Sequence, residues 1–222
     1  MMFSPLGLGG GVLYVPILHY IAEWSLIDSI LGSLTMVLSV AIGSSLAHSS
    51  EGHADTRIAN AGRITAIPAA IVGAIISWLV IEYVSDLVIK LFAVAILIFV
   101  IERALRTPKE IESVDEKLGL YKAGTAFGGL SSGMLGIGGG GIIVTLNRSL
   151  MGMDIRKSAG TSYLIEVAVV PVALITHILI DDSISSVFDN VGLIAVILMP
   201  LLGMSASYFG AKFAIKYLPK NI

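Results

Sequence analysis

Five stretches of this chain, residues 1–22, 29–50, 64–81, 123–147 and 191–211, contain no Asp, Glu, Lys or Arg. A helix needs about 20 mostly apolar residues to cross a hydrocarbon core about 30 Å thick, so each stretch is long enough to span or nearly span a bilayer. Two further stretches tolerate a charge. Residues 87–104 hold Lys90 near one end, where a long side chain reaches the interface. Residues 158–180 hold Glu166 in their interior. Seven hydrophobic elements in 222 residues leave no room for a separate soluble domain. The fold class that follows is all-α, a polytopic transmembrane helix bundle.

Composition agrees. Only 14% of residues are charged, against about 25% in soluble domains, and the mean hydropathy is +0.90. The chain has no cysteine, which excludes a disulfide framework and any metal centre built on thiolates. A formal net charge of -2 gives no electrostatic footprint for nucleic acid. Residues 1–22 lack the basic start and leucine-rich centre of a signal peptide.

The chain also resembles itself. Gly7-Leu8-Gly9-Gly10-Gly11 recurs 129 residues later as Gly136-Ile137-Gly138-Gly139-Gly140, and His48 meets His177 at the same spacing. One step further out of register, Asn60 meets Asn190, Gly62 meets Gly192, Gly73 meets Gly203 and Ser77 meets Ser207, each 130 apart. A two-fold internal repeat follows. Residues 1–104 form the first half, 105–120 a polar linker and 121–222 the second half. The repeat further predicts an element before residue 7 that is incomplete here, and an eighth element beyond residue 217.

Lys and Arg favour the cytoplasmic side. The connector 103–122 carries five of them, residues 147–157 carry Arg148, Arg156 and Lys157, and the C-terminal segment carries Lys212, Lys216 and Lys220. If 121–150 were one plain span, both its ends would be cytoplasmic. Two half-helices broken at GIGGGG, entering and returning on the same side, remove the conflict. Each half then holds one broken element and three spans, and an odd span number inverts one half against the other.

Broken helices survive in a membrane only where protein buries them or where they line a watery cavity. Two breaks at matching positions point to a binding site between the halves. Backbone amides at a half-helix start, with the helix dipole behind them, suit an anion. Candidate ligand residues are therefore Gly9, Gly10 and Gly11 in the first cluster and Gly138, Gly139, Gly140 and Gly141 in the second. The alternative is that these small residues only permit close helix packing. Gly136-x-Gly138-x-x-Gly141 also matches a dinucleotide fingerprint, but it lies inside an uncharged run with no strand before it and no acidic residue about 20 positions on.

These segments resemble a known family. GLGGGVLYVP at 7–16, GIGGGG at 136–141 and KSAGTS at 157–162 are similar to the sulfite exporter TauE/SafE family of small integral-membrane transporters. The resemblance implies transport of a small sulfur-containing or organic anion, of the sulfite, thiosulfate or sulfonate type, across the cytoplasmic membrane. It also implies that the glycine clusters and the AGTS segment line the pathway. The first half departs from the pattern with LGSL at 31–34 where the second has AGTS, and Thr145 stands where the first half has Pro16.

The remaining polar residues carry two readings each. Thr161 and Ser162, with Ser33 and Thr35 as first-half counterparts, either bind the anion or hydrogen-bond back to a helix carbonyl. Glu166 is either a coupling or gating carboxylate, the default reading for an ionisable group at membrane depth, or one half of a pair with Arg63 or Lys157. His48 and His177 either titrate in coupling or gating or serve as satisfied polar tips. No HExxH or acidic triad suggests a metal, and nothing calls for a cofactor. The expected partners are a small anionic substrate and the lipid bilayer, with a homo-oligomer left open. The function expected is secondary transport by alternating access, set against an uncoupled permease or a non-transporting assembly subunit. No catalytic dyad is visible in the spans, so an enzyme is not expected.

Overall fold

Two short polar side chains set where the long helices start. The Ser25 hydroxyl accepts the Asp28 amide at 3.0 Å, and the Asp55 carboxylate accepts the Ile58 amide at 3.1 Å, each satisfying an amide that the helix ladder leaves over. The computed structural model describes residues 11–105, 114–180 and 192–217. Among them α1 (Gly11–Pro16) passes through a π turn (Ile17–Ile21) towards α2 (Leu26–Ser50). Then come α3 (Thr56–Tyr83), α4 (Asp86–Leu105), α5 (Val114–Leu135), α6 (Gly140–Ser149), α7 (Ile155–Ile180) and α8 (Leu193–Tyr217). No strand occurs among the described residues. Four helices, Leu26–Ser50, Thr56–Tyr83, Ile155–Ile180 and Val196–Tyr217, are long and apolar enough to cross a membrane.

The helices reach further than the uncharged runs. Caps lie outside the apolar stretch, so α3 takes in Arg57 and Arg63, and α5 begins at Val114, inside the stretch that reads as linker. Polarity is distributed as hydrocarbon demands. Leu91, Ile98, Ile64, Leu202 and Phe209 face outward, while Ser29, Ser33, Ser44, Ser131, Ser132, Thr161, Ser162 and Glu166 are buried. A lipid-facing surface of large apolar side chains costs nothing in a bilayer, and polar groups gather where protein can bond them.

Small residues let the helices close up. At the α3–α5 crossing the carbonyls of Ala66, Ala70 and Leu130 lie where a Cβ would stand on Gly129, Gly133 and Gly73 respectively. Gly43 of α2 takes the Met204 carbonyl of α8 in the same way. With no hydrophobic drive between helices in lipid, such close packing supplies much of the association.

The 123–147 run is two helices. After α5 the chain turns through Gly136, Gly138 and Gly139, at φ 70°, 79° and 72°, a region open to glycine at little cost. It then runs back along α5 as α6. Gly139 faces the Gly128 carbonyl, Gly128 faces Ile143, Gly124 faces Leu146, and the Tyr121 hydroxyl donates to Asn147 Oδ1 at 2.8 Å. Ser149 thus returns to the end of the bundle where α5 starts, as the charge pattern requires.

The same end gathers the other basic segments. Asn147 Nδ2 donates to the Ser158 carbonyl at 2.9 Å, Lys157 pairs with Asp55 at 3.0 Å, and Lys212 lies 4.0 Å from Glu51. The element bounds repeat too. Leu26 and Ile155 open α2 and α7, 129 apart. Contacts follow the pairing: α6 packs on α7 as α1 packs on α2, and α3 packs on α7 as α8 packs on α2. The two equivalents α2 and α7 cross antiparallel. His48, late in α2, stacks near Tyr163, early in α7, while Val37 and Val170 both reach Gly138.

Candidate functional site

The turn between α5 and α6 is held from both sides by matching serines. Ser33 of α2 donates to the Gly136 carbonyl at 2.7 Å, fully buried. Its counterpart Ser162 of α7 lies 2.9 Å from Glu166 Oε1 and 3.3 Å from the Gly140 carbonyl. The first glycine cluster arrives at the same place, since a Cβ on Gly11 would stand 2.5 Å from the Ile137 carbonyl oxygen. Gly11 and Gly138–Gly141 are thus brought together, while Gly9 and Gly10 lie outside the described residues.

Gly138 is the centre of this cluster. A Cβ there would stand 2.5 Å from Val37 Cγ1, 3.1 Å from Glu166 Oε2 and 3.8 Å from Val170 Cγ2. Glu166 itself has no exposed surface, and its Oε2 has no hydrogen-bond partner. The pairing with Arg63 or Lys157 is overturned. Arg63 spends Nε and Nη2 on the Leu164 carbonyl and Nη1 on Asn60, and Lys157 is bound to Asp55. Helix α6 makes its first ladder bond from the Ile143 amide to the Gly139 carbonyl at 3.1 Å, so the amides of Gly140, Gly141 and Ile142 precede the ladder.

On the other side of the turn, Ile137, Gly139, Gly141 and Ile142 border a cavity of about 180 Å³ between α1, α2 and α4. Its remaining walls are almost wholly apolar, among them Val12, Ile30, Ile89 and Val100. Glu166, Ser33 and Ser162 are not part of its lining.

KSAGTS divides into two tasks. Lys157, Gly160 and Thr161 grip the α2–α3 connector: the His53 carbonyl sits where a Gly160 Cβ would stand, and the Asp55 amide donates to Thr161 Oγ1 at 2.9 Å. Asp55 is partly buried, which works to raise its pKa, yet the Ile58 amide and Lys157 outweigh this and hold it below the usual carboxylate value. Only Ser162 of the segment faces the glycine turn. Thr35 bonds back to the Leu31 carbonyl at 2.9 Å, the packing alternative for that residue. His177 lies 2.7 Å from the Gly133 carbonyl, tying α7 to α5, whereas His48 is buried beside Tyr163 with neither ring nitrogen hydrogen-bonded. Asn190 lies outside the described residues.

The chain matches the sulfite exporter TauE/SafE family over residues 1–222. It belongs to that family. No curated protein and no solved structure gives a match. A member of this family with several long apolar helices is a multi-pass membrane protein of an anion (sulfite) exporter family, whose members are transporters rather than enzymes.

Three residues that sequence reasoning passed over hold the site in place. Tyr121, Asn147 and the Ser158 carbonyl join α5, α6 and α7 through buried bonds. Arg63, already singled out by the sequence, ties α3 to α7 at the Leu164 carbonyl, two residues before Glu166. A single Asn ending an uncharged run next to Arg148 is the one signal that could have drawn attention to the network.

Proposed function

We infer that this TauE/SafE member is a secondary transporter that moves a small anion, sulfur-containing or organic, across the cytoplasmic membrane by alternating access. The observation that carries this reading is the glycine turn. The two clusters meet at Gly11 and Ile137, where equivalent helices α2 and α7 cross. The amides of Gly140, Gly141 and Ile142 at the start of α6 suit an anion there. The antiparallel course of α2 and α7 supports an inverted relation between the halves, since a two-fold axis in the membrane plane reverses each helix onto its equivalent. Rocking of one half against the other would then expose the turn to each side alternately. Sulfite, thiosulfate and short sulfonates are the candidate substrates, and the basic end of the bundle is the cytoplasmic one.

The test is counterflow of labelled thiosulfate in proteoliposomes. Gly138→Val forces a side chain against Val37 and Glu166, 2.5 and 3.1 Å from where its Cβ would stand, and should cut exchange at least about tenfold, equivalent to about 1.4 kcal/mol, with insertion intact. Exchange at the wild-type rate would remove the glycine turn from the pathway.

A further inference from the structure

Resting on that transport reading, we propose that Glu166 takes part in anion binding itself. Its Oε2 carries a proton that is donated to the anion in the glycine turn, so that one proton moves with each anion.

The geometry around the carboxyl is one-sided. Ser162 donates to Oε1 at 2.9 Å, while Oε2 is buried, without a partner, and 3.1 Å from where a Gly138 Cβ would stand in the turn. The packed elements carry other charged and titratable groups, among them Asp28 and His48 on α2, Arg57 and Arg63 on α3, Tyr121 and Lys122 on α5, Arg148 on α6, and Arg156, Lys157, Tyr163 and His177 on α7. Ser162 is nevertheless the group that bonds Glu166, and no ion pair reaches it among the described residues.

A buried carboxylate oxygen with no donor is costly. A small anion offers only acceptors, so beside an ionised Glu166 in a dry site the two would repel. A proton on Oε2 resolves both problems, because the carboxylic acid then donates where the anion accepts. With the proton on Oε2, Oε1 keeps the Ser162 bond unchanged. The count of one follows from the broken repeat: 129 residues earlier, Ser162 is matched by Ser33 but Glu166 is matched by Val37. Val37 meets the same Gly138 with a methyl group.

The full chain would be reconstituted in proteoliposomes, the membrane potential clamped to zero with potassium and valinomycin, and labelled thiosulfate used as probe. With one proton per anion, each unit of pH gradient should raise wild-type accumulation about tenfold. Glu166→Gln keeps a hydrogen-bond donor but has no proton to carry across, so exchange at equal pH should slow while the gradient-driven accumulation ratio falls to about onefold, a loss that a merely slower carrier would not show. Glu166→Val, which copies position 37, should lose exchange at least about tenfold. Should the Gln variant fail to elute as a folded species, Glu166→Asp should keep the tenfold slope at a lower rate.

Accumulation by Glu166→Gln equal to wild type would overturn the proposal. So would a flat or a hundredfold wild-type slope, loss of the slope in a folded Glu166→Asp, or full exchange by Glu166→Val. Absence of any wild-type exchange would instead refute the transport reading on which the proposal rests.

Discussion

Replacing Gly139 by alanine tests whether the turn between α5 and α6 is set by backbone contact or by conformational freedom alone. Gly139 has φ 72° and a Cβ there would stand 2.5 Å from the Gly128 carbonyl oxygen. Gly52, in the α2–α3 connector, has the same φ of 72° with nothing within 4 Å. Alanine at either site meets the left-handed penalty of about 1–2 kcal/mol, and any change in unfolded-chain entropy is common to both. Only Gly139→Ala also forces two backbones apart, for which overpacking adds about 1–3 kcal/mol. The difference between the variants therefore isolates the contact. In a chain of this size, 1 kcal/mol moves Tm by about 2–4 °C, so Gly139→Ala should melt about 2–12 °C below Gly52→Ala. Thermal unfolding of purified protein, followed by Trp and Tyr fluorescence, measures this directly. Thiosulfate exchange by the same samples should fall for Gly139→Ala and persist for Gly52→Ala. Equal melting shifts would refute the reasoning, because the Gly128 carbonyl would then have yielded freely.

Two more outcomes follow from bonds remote from the turn. Tyr121→Phe leaves Asn147 Oδ1 buried without its donor, which should cost about 1–3 kcal/mol in thermal unfolding, and an unchanged Tm would mean that α6 is fixed by packing alone. Asp55, whose pKa is lowered in the folded chain, adds stability above its unfolded value of about 3.9, and that contribution is lost as pH falls through the lower folded value. Wild-type Tm should therefore drop towards that of Asp55→Asn on acidification below about pH 4, and parallel profiles for the two proteins would remove the Lys157 pairing as the cause.

Much of this architecture is legible in the sequence because it is written twice. The spacing of 129 that aligns the glycine clusters also separates the starts of α2 and α7. The return of α6 along α5 follows from the charge pattern around an uncharged run. What a linear motif hides is direction. Thr161 and Ser162 are neighbours in AGTS, but successive helix residues point about 100° apart, so one meets the Asp55 amide and the other the glycine turn. Partner choice is hidden for a similar reason. Arg63 and Lys157 are both plausible partners of Glu166 by sequence, yet Arg63 finds the Leu164 carbonyl and Lys157 finds Asp55. Tyr121 and Asn147 were passed over because their bond requires α6 to fold back on α5.

The repeat departs from itself at this turn. Exchange of the halves places Ser33 on Ser162 and Val37 on Glu166, and all four approach a single turn, residues 136–140. The serines meet different carbonyls of that turn: Ser33 donates to Gly136, and Ser162, which donates to Glu166 Oε1, stands 3.3 Å from that of Gly140. The next pair differs, and positions 37 and 166 both contact the same glycine, Gly138. Two carboxylates sharing one buried point cannot both ionise, and two valines would leave no group there to hold a proton. Around that single point Glu166 supplies a titratable group from one half and Val37 an apolar wall from the other. A valine at position 37 therefore leaves Glu166 without a like-charged neighbour at Gly138.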